Sequence, residues 1–128
     1  MPSSTTTCRR SHTRFRMPDD ARATVEFVHP HPAGHHCCMK LRDISASGVS
    51  FFLAGDLPGL EVGDSIDRVT INIEGYELHG DLLVMRLTPD ASRGAVCGAL
   101  FYPRGDKNLH ALNVLLEELD RDGSLRVD

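Results

Sequence analysis

Residues 9–16 read RRSHTRFR, which places four arginines within eight positions. An arginine guanidinium carries a fixed positive charge, forms paired hydrogen bonds to phosphate or to the edge of a base, and stacks on flat rings. The whole chain has a formal net charge of −4, so it is a poor general binder of nucleic-acid polymers, whose affinity comes largely from neutralised phosphates. The arginines therefore predict a local anion site, and the alternative is a solvated basic arm that binds nothing in particular.

A second group of chemically able residues lies in DISASG, where Asp43, Ser45 and Gly48 have the spacing D-x-S-x-x-G. A carboxylate accepts hydrogen bonds, a hydroxyl donates and accepts them, and glycine lets the backbone turn or approach another group closely. The alternative is a loop in which Asp and Ser bond nearby backbone and the glycine takes a positive φ. The local role and a binding role can coexist.

Apolar and polar residues alternate along most of the chain at the period of half-buried strands. The pattern predicts six short strands, in ARATVEFV, MKLRDI, GVSFFL, IDRVTINI, YELHGDLLVMRL and AVCGALFY. Gly75 separates the fourth and fifth of these and predicts a hairpin turn. The frayed, Ser/Thr-rich start MPSSTTTC precedes the arginines.

The segment DKNLHALNVLLEELDRDG predicts one amphipathic helix, with Asp106 as its N-cap and Gly123 as its end. Its predicted apolar stripe consists of leucines at helical spacing: Leu109, Leu112, Leu116 and Leu119. Six strands followed by one helix favour an all-β fold, in which an antiparallel sheet closes into a barrel that the helix plugs or covers.

The arginine cluster followed by DISASG, with six strands and a closing helix, resembles the PilZ domain, a bacterial receptor module for cyclic di-GMP. LEVGDSI resembles the loop before the family's fourth strand, and CGALF resembles its Gly-x-x-Phe strand. The resemblance covers about residues 8 to 121. It divides the chain into a flexible N-terminal tail (1–8), a PilZ domain (9–121) and a C-terminal tail (122–128).

The resemblance implies a role for each motif. Arg10 and Arg14 would clamp the ligand, and the barrel-face motif would supply Asp43, Ser45 and Gly48. Arg9, directly before the first clamping arginine, would favour an intercalated pair of ligands over a single one.

The expected function is that of a cyclic di-GMP receptor and adaptor, which changes conformation on binding and signals to a downstream protein. Motility, exopolysaccharide synthesis and biofilm formation are outputs of the family. The alternative is a PilZ-like adaptor that binds a protein and no nucleotide.

Other classes of function fit the residues less well. Ser45, His12 and Asp43 lack the sequence context of a catalytic triad, and no phosphate loop is present, so no enzyme is expected. A barrel for single-stranded nucleic acid would need more aromatic residues than five Phe, two Tyr and no Trp.

The histidines and cysteines of HPHPAGHHCC are possible metal ligands, but neighbours on a strand point to opposite faces, so no metal site and no cofactor are expected. The chain has no apolar run near the roughly 20 residues that span a bilayer and no secretory h-region at its start. It is therefore expected in the cytoplasm, without membrane insertion and with its four cysteines reduced.

Overall fold

The computed structural model describes residues 13–29, 34–53, 60–90 and 94–127. These residues form eight strands and one helix. In chain order they are β1 (Arg14–Arg16), β2 (Ala23–His29), β3 (His35–Ile44), β4 (Gly48–Leu53), β5 (Ser65–Ile73), β6 (Tyr76–Asp90), β7 (Gly94–Pro103), α1 (Gly105–Asp122) and β8 (Arg126–Val127).

Six of the strands form a closed antiparallel barrel. They follow the order β2-β5-β6-β7-β4-β3, and β3 pairs again with β2 to complete the ring. Closure leaves no free sheet edge within the ring. The predicted six-stranded barrel with a C-terminal helix is therefore confirmed, and β1 and β8 are two short additions to it.

The two added strands lie side by side on the outside of the ring. β1 pairs with the end of β3, and its other edge pairs with β8. Thus residues 126 and 127, within the segment 122–128 that the sequence analysis assigns to a tail, are hydrogen-bonded to the strand that contains Arg14.

The alternation seen in the sequence produces the barrel core. In β4, Val49, Phe51 and Leu53 point inward and are buried, and the ring of Phe51 meets that of Phe27 edge-on with centroids 6.1 Å apart. The predicted turn at Gly75 is confirmed, because Glu74 and Gly75 have φ values of 48° and 92° between the paired residues of β5 and β6. Positive φ at both central residues is typical of a tight type I′ hairpin.

Three of the barrel strands contain a bulge: one lies in β5 between Ile66 and Val69, and the other two lie in β3 and β6. In β3 the partner of Leu41 is Phe51 and that of Asp43 is Ser50, so Arg42 is an extra residue in the ladder. In β6 the bulge lies between Val84 and Arg86, with Met85 as the extra residue. A bulge brings two successive side chains to one face of a sheet, where a regular strand would point them to opposite faces. The bulges in β3 and β6 face the cavity described below.

The helix α1 packs against β6 and β7 and covers the barrel core. It begins at Gly105, with Arg104 at the N-cap position and no side-chain cap bond, so the predicted N-cap Asp106 is wrong and lies in the first turn. The predicted end is confirmed, since Gly123 takes the left-handed conformation with φ 79°.

The predicted apolar stripe of the helix is confirmed at Leu112 and at the partly buried Leu116 and Leu119, but it is wrong at Leu109. Leu112 and Leu115 are each 1% exposed, whereas Leu109 is 48% exposed. The reason is the anchor one residue before it: Asn108 Oδ1 accepts a bond of 2.9 Å from the backbone N–H of His79. Asn108 therefore faces the barrel, and residues four and seven positions later share its face.

We expect Leu112→Ala to lower the free energy of unfolding by about 2–5 kcal/mol, because it leaves a cavity in the core. Leu109→Ala, its matched control on the same helix, should change it by less than about 0.5 kcal/mol. Urea unfolding followed by circular dichroism measures both. Equal losses would show that Leu109 is packed as deeply as Leu112.

Candidate functional site

The strand β1 brings arginine side chains to the outer face of the barrel. Phe15 is buried in the core, so Arg14 and Arg16 on either side of it point outward. Backbone bonds fix this position: the Met17 N–H donates to the Arg42 carbonyl at 2.9 Å, and the Arg16 N–H donates to the Leu125 carbonyl at 2.8 Å.

An open cavity with a volume of about 830 Å³ lies beside β1. Four predicted site residues line it: Arg14, Asp43, Ser45 and Gly48. The predicted residues Arg9 and Arg10 lie outside the described residues. The two sequence motifs, about thirty positions apart in the chain, therefore meet at one open cavity through the pairing of β1 with β3.

Asp43 lies at the edge of this cavity and is only 6% exposed. The bulge at Arg42 sets its surroundings: Leu41 and Ile44 both point into the core, and the two residues between them lie outside. Arg42 Nη1 is consequently 3.3 Å from Asp43 Oδ2. The contact places a guanidinium donor beside a largely buried carboxyl group, whose oxygens are hydrogen-bond acceptors.

Ser45 has a local role in the turn between β3 and β4. Its Oγ accepts bonds from the backbone N–H groups of Ser47 and Gly48, at 3.3 and 3.2 Å. Its own N–H donates to the Gly48 carbonyl at 2.8 Å. The local alternative considered for the DISASG loop therefore holds for Ser45, which still contributes to the cavity wall.

Gly48 is required by a close approach of two strands. A Cβ at this position would lie 2.4 Å from the Ala99 carbonyl oxygen and 3.5 Å from the Leu100 Cα. Gly48 does not have the positive φ that the loop alternative expects, so that part of the alternative is wrong. The glycine allows β4 to lie against β7, as the close-approach reading expects.

Five residues form a continuous line across the cavity floor, which we name the cross-strand row. Successive register partners place them on one face of five neighbouring strands: Arg16, Asp43, Ser50, Gly98 and Arg86. Neighbouring strands lie about 4.8 Å apart, so the row is about 19 Å long. It has an arginine at each end, with a carboxylate, a hydroxyl and a gap without a side chain between them.

Three cavity residues lie outside the two sequence motifs and were not predicted: Arg42, Ser50 and Arg86. Ser50 carries a usable signal, because it is a polar residue between the inward-facing Val49 and Phe51. Arg42 and Arg86 reach the cavity because of the bulges in β3 and β6. These bulges depend on strand pairing and cannot be recognised from the alternation of polar and apolar residues.

We expect Gly48→Ala to lower the free energy of unfolding by about 1–3 kcal/mol, because the added methyl group overlaps the β7 backbone. Gly98→Ala is the matched control, since its Cβ would meet only Arg86 Cβ, at 3.6 Å. Thermal unfolding of both variants measures the difference. A Gly48→Ala protein as stable as the control would contradict the close approach.

The histidines and cysteines of β3 do not converge. Cys37 is buried, while His36 and Cys38 on either side of it are exposed. Among the described residues, no group of three or more His, Cys, Asp or Glu side chains could hold a metal ion, and His31 lies outside them. Burial raises the pKa of Cys97 to about 12, so this thiol stays protonated at neutral pH.

Within the described parts of the chain, no helix has the length and apolar character needed to cross a membrane.

The barrel and its helix have counterparts among known proteins. No family model matches the chain. The chain superposes on the PilZ domain of Escherichia coli YcgR, determined with cyclic di-GMP, with a TM-score of 0.67 and 15% identity over 86% of this chain and 90% of that one. The chain therefore has the fold of a PilZ domain, which is the fold that the sequence motifs predict.

Two further similarities concern longer proteins. The flagellar brake protein YcgR of Methylibium petroleiphilum is 28% identical over 116 residues, which cover 88% of this chain and 51% of that protein. The complex of K. pneumoniae MrkH with cyclic di-GMP matches with a TM-score of 0.72 and 19% identity, over 86% of this chain and 51% of that one. The chain thus spans about half the length of these relatives.

Proposed function

We propose that this chain is a cyclic di-GMP receptor and adaptor. The observation that carries the proposal is the meeting of both sequence motifs at one cavity: Arg14 from the arginine cluster, and Asp43, Ser45 and Gly48 from DISASG. Solved relatives of the same fold contain cyclic di-GMP, and the match to a flagellar brake protein supports a role in motility control.

The chemistry of the cavity fits the proposed ligand. Cyclic di-GMP presents two phosphates and two guanines, and the described cavity offers four arginines at its wall: Arg14, Arg16, Arg42 and Arg86. Guanidinium groups bond phosphate oxygens or guanine O6 and N7 and stack on the bases. The Asp43 side chain accepts hydrogen bonds from guanine N1 and N2, which lysine or arginine cannot do.

We assign the two-state element to the arginine arm, in which Arg9 and Arg10 precede Arg14, the residue that β1 holds at the cavity. Ligand phosphates draw the arm onto the cavity, and this shifts the population towards a closed form. The position of β1 between β3 and β8 supports this assignment, because β8 contacts the end of α1 through the ion pair of Arg126 with Asp120. A change in the arm would therefore alter the surface at the end of α1. A downstream protein would read that surface.

The receptor unit is taken as residues 9–121, it acts in the cytoplasm, and it is a binding module without catalysis. The occupancy of two ligands per protomer, suggested by Arg9, is part of the same proposal.

Calorimetric titration of the purified chain with cyclic di-GMP is the first test, with GTP and cyclic di-AMP as controls. We expect saturable binding that is selective for cyclic di-GMP, and the stoichiometry separates one ligand from two. The absence of binding heat up to high micromolar cyclic di-GMP would reject the receptor function and favour an adaptor that binds only protein.

Arg14→Ala should weaken binding of cyclic di-GMP by about 10- to 150-fold, or about 1.5–3 kcal/mol, because it removes charge-assisted bonds to the ligand. Arg10→Ala should do the same. Arg121→Ala is the matched control, since Arg121 is exposed on α1 and pairs with Glu118 at 2.9 Å, outside the cavity. Affinities equal to that of the control would remove the arginines from the site.

A further inference from the structure

The hydroxyl of Ser50 lacks a hydrogen-bond partner within the described structure. Ser50 is 7% exposed, and its buried Oγ atom makes no bond to protein. A buried polar atom without a partner carries a desolvation cost, so such an atom calls for an explanation. Ser50 also lines the cavity, which points to a partner that comes from a ligand.

In the cross-strand row, Ser50 has a hydrogen-bond acceptor on one side and a residue without a side chain on the other. Asp43 is its register partner on β3, and Gly98 is its partner on β7. Directly opposed residues have Cβ atoms about 4.5–5.5 Å apart, so the hydroxyl and the carboxylate can contact adjacent atoms of one planar group.

The fold itself does not demand a glycine at position 98. Gly98 does not have a positive φ, and an added Cβ would meet only Arg86 Cβ, at the ordinary contact distance of 3.6 Å. Gly48 on the adjacent strand differs, since its Cβ would overlap backbone at 2.4 Å. The absence of a side chain at Gly98 leaves open the space above it, next to the Ser50 hydroxyl.

We propose that one guanine of the ligand lies over Gly98, with its O6 accepting a hydrogen bond from Ser50 Oγ and its N1–H and N2–H donating to Asp43. This assignment rests on the proposed function and extends the site beyond the two sequence motifs. It makes Ser50 a specificity-determining residue, because adenine has an amino group in place of O6 and no proton on N1, so it cannot form this set of bonds.

The buried Oγ becomes reachable when a neighbouring cavity side chain moves. Arg42 and Arg86 line the same cavity, and both are long side chains with several rotatable bonds. Arg42 is paired with Asp43, the carboxylate that the guanine would occupy. Arrival of the base therefore replaces the Arg42 contact and opens the floor at Ser50.

The test is calorimetry on the full chain with cyclic di-GMP. Ser50→Ala should lower the affinity about 3- to 10-fold, the effect of one hydrogen bond, without lowering the unfolding temperature. Gly98→Ala should lower it about 10-fold by filling the gap, again with the stability retained. Ser65→Ala, which removes an exposed hydroxyl on β5 outside the cavity, should match the wild type.

A second ligand identifies the atom that Ser50 contacts. Cyclic di-IMP keeps O6 and N1–H of each base and lacks N2. Ser50→Ala should weaken binding of cyclic di-IMP by the same factor as binding of cyclic di-GMP. A factor near one for cyclic di-IMP would overturn the assignment to O6.

Failure of this inference differs from failure of the proposed function. Wild-type protein that does not bind cyclic di-GMP rejects the function. Wild-type protein that binds, together with Ser50→Ala and Gly98→Ala variants of unchanged affinity, rejects the guanine position alone. A drop in unfolding temperature of the ligand-free Ser50→Ala protein would show that the hydroxyl serves the fold, and would also overturn the proposal.

Discussion

The register of β4 between β3 and β7 is the constraint on which the site depends. Phe51 points into the core from this strand, and Ser50 points to the cavity. A slip of β4 by one residue would exchange its two faces, so that Phe51 would be exposed and Ser50 would point into the core. The close contact at Gly48 holds the register, because the Ala99 carbonyl leaves space there for a hydrogen atom only. The same alignment of β4 therefore determines both which residues pack in the core and which line the cavity.

Much of the fold could be predicted because alternation at period two is strong in the barrel strands. What could not be predicted depends on pairing. β1 and β8 are three and two residues long, too short for any period, and exist because they pair with β3 and with each other. The face of α1 is set by Asn108, which bonds the His79 backbone. That contact is non-local, so the leucine spacing alone placed Leu109 wrongly on the buried side.

The same division applies to the site. Arg14, Asp43, Ser45 and Gly48 stand out in the sequence because each motif is compact along the chain. Arg42 reaches Asp43 only through a bulge, and Arg86 joins the row only through another. Such residues are brought together by strand register, so their contribution is visible only once the ladder is known.

The pairing of β1 with β8 has a consequence for how this small domain could communicate. The strand that contains Arg14 and the last strand of the described chain are hydrogen-bonded neighbours, with Arg14 opposite Val127. The first and last strands of the described residues therefore lie together at one edge. Under the proposed function, a ligand that binds beside β1 acts on this edge directly, without any change in the six-stranded ring.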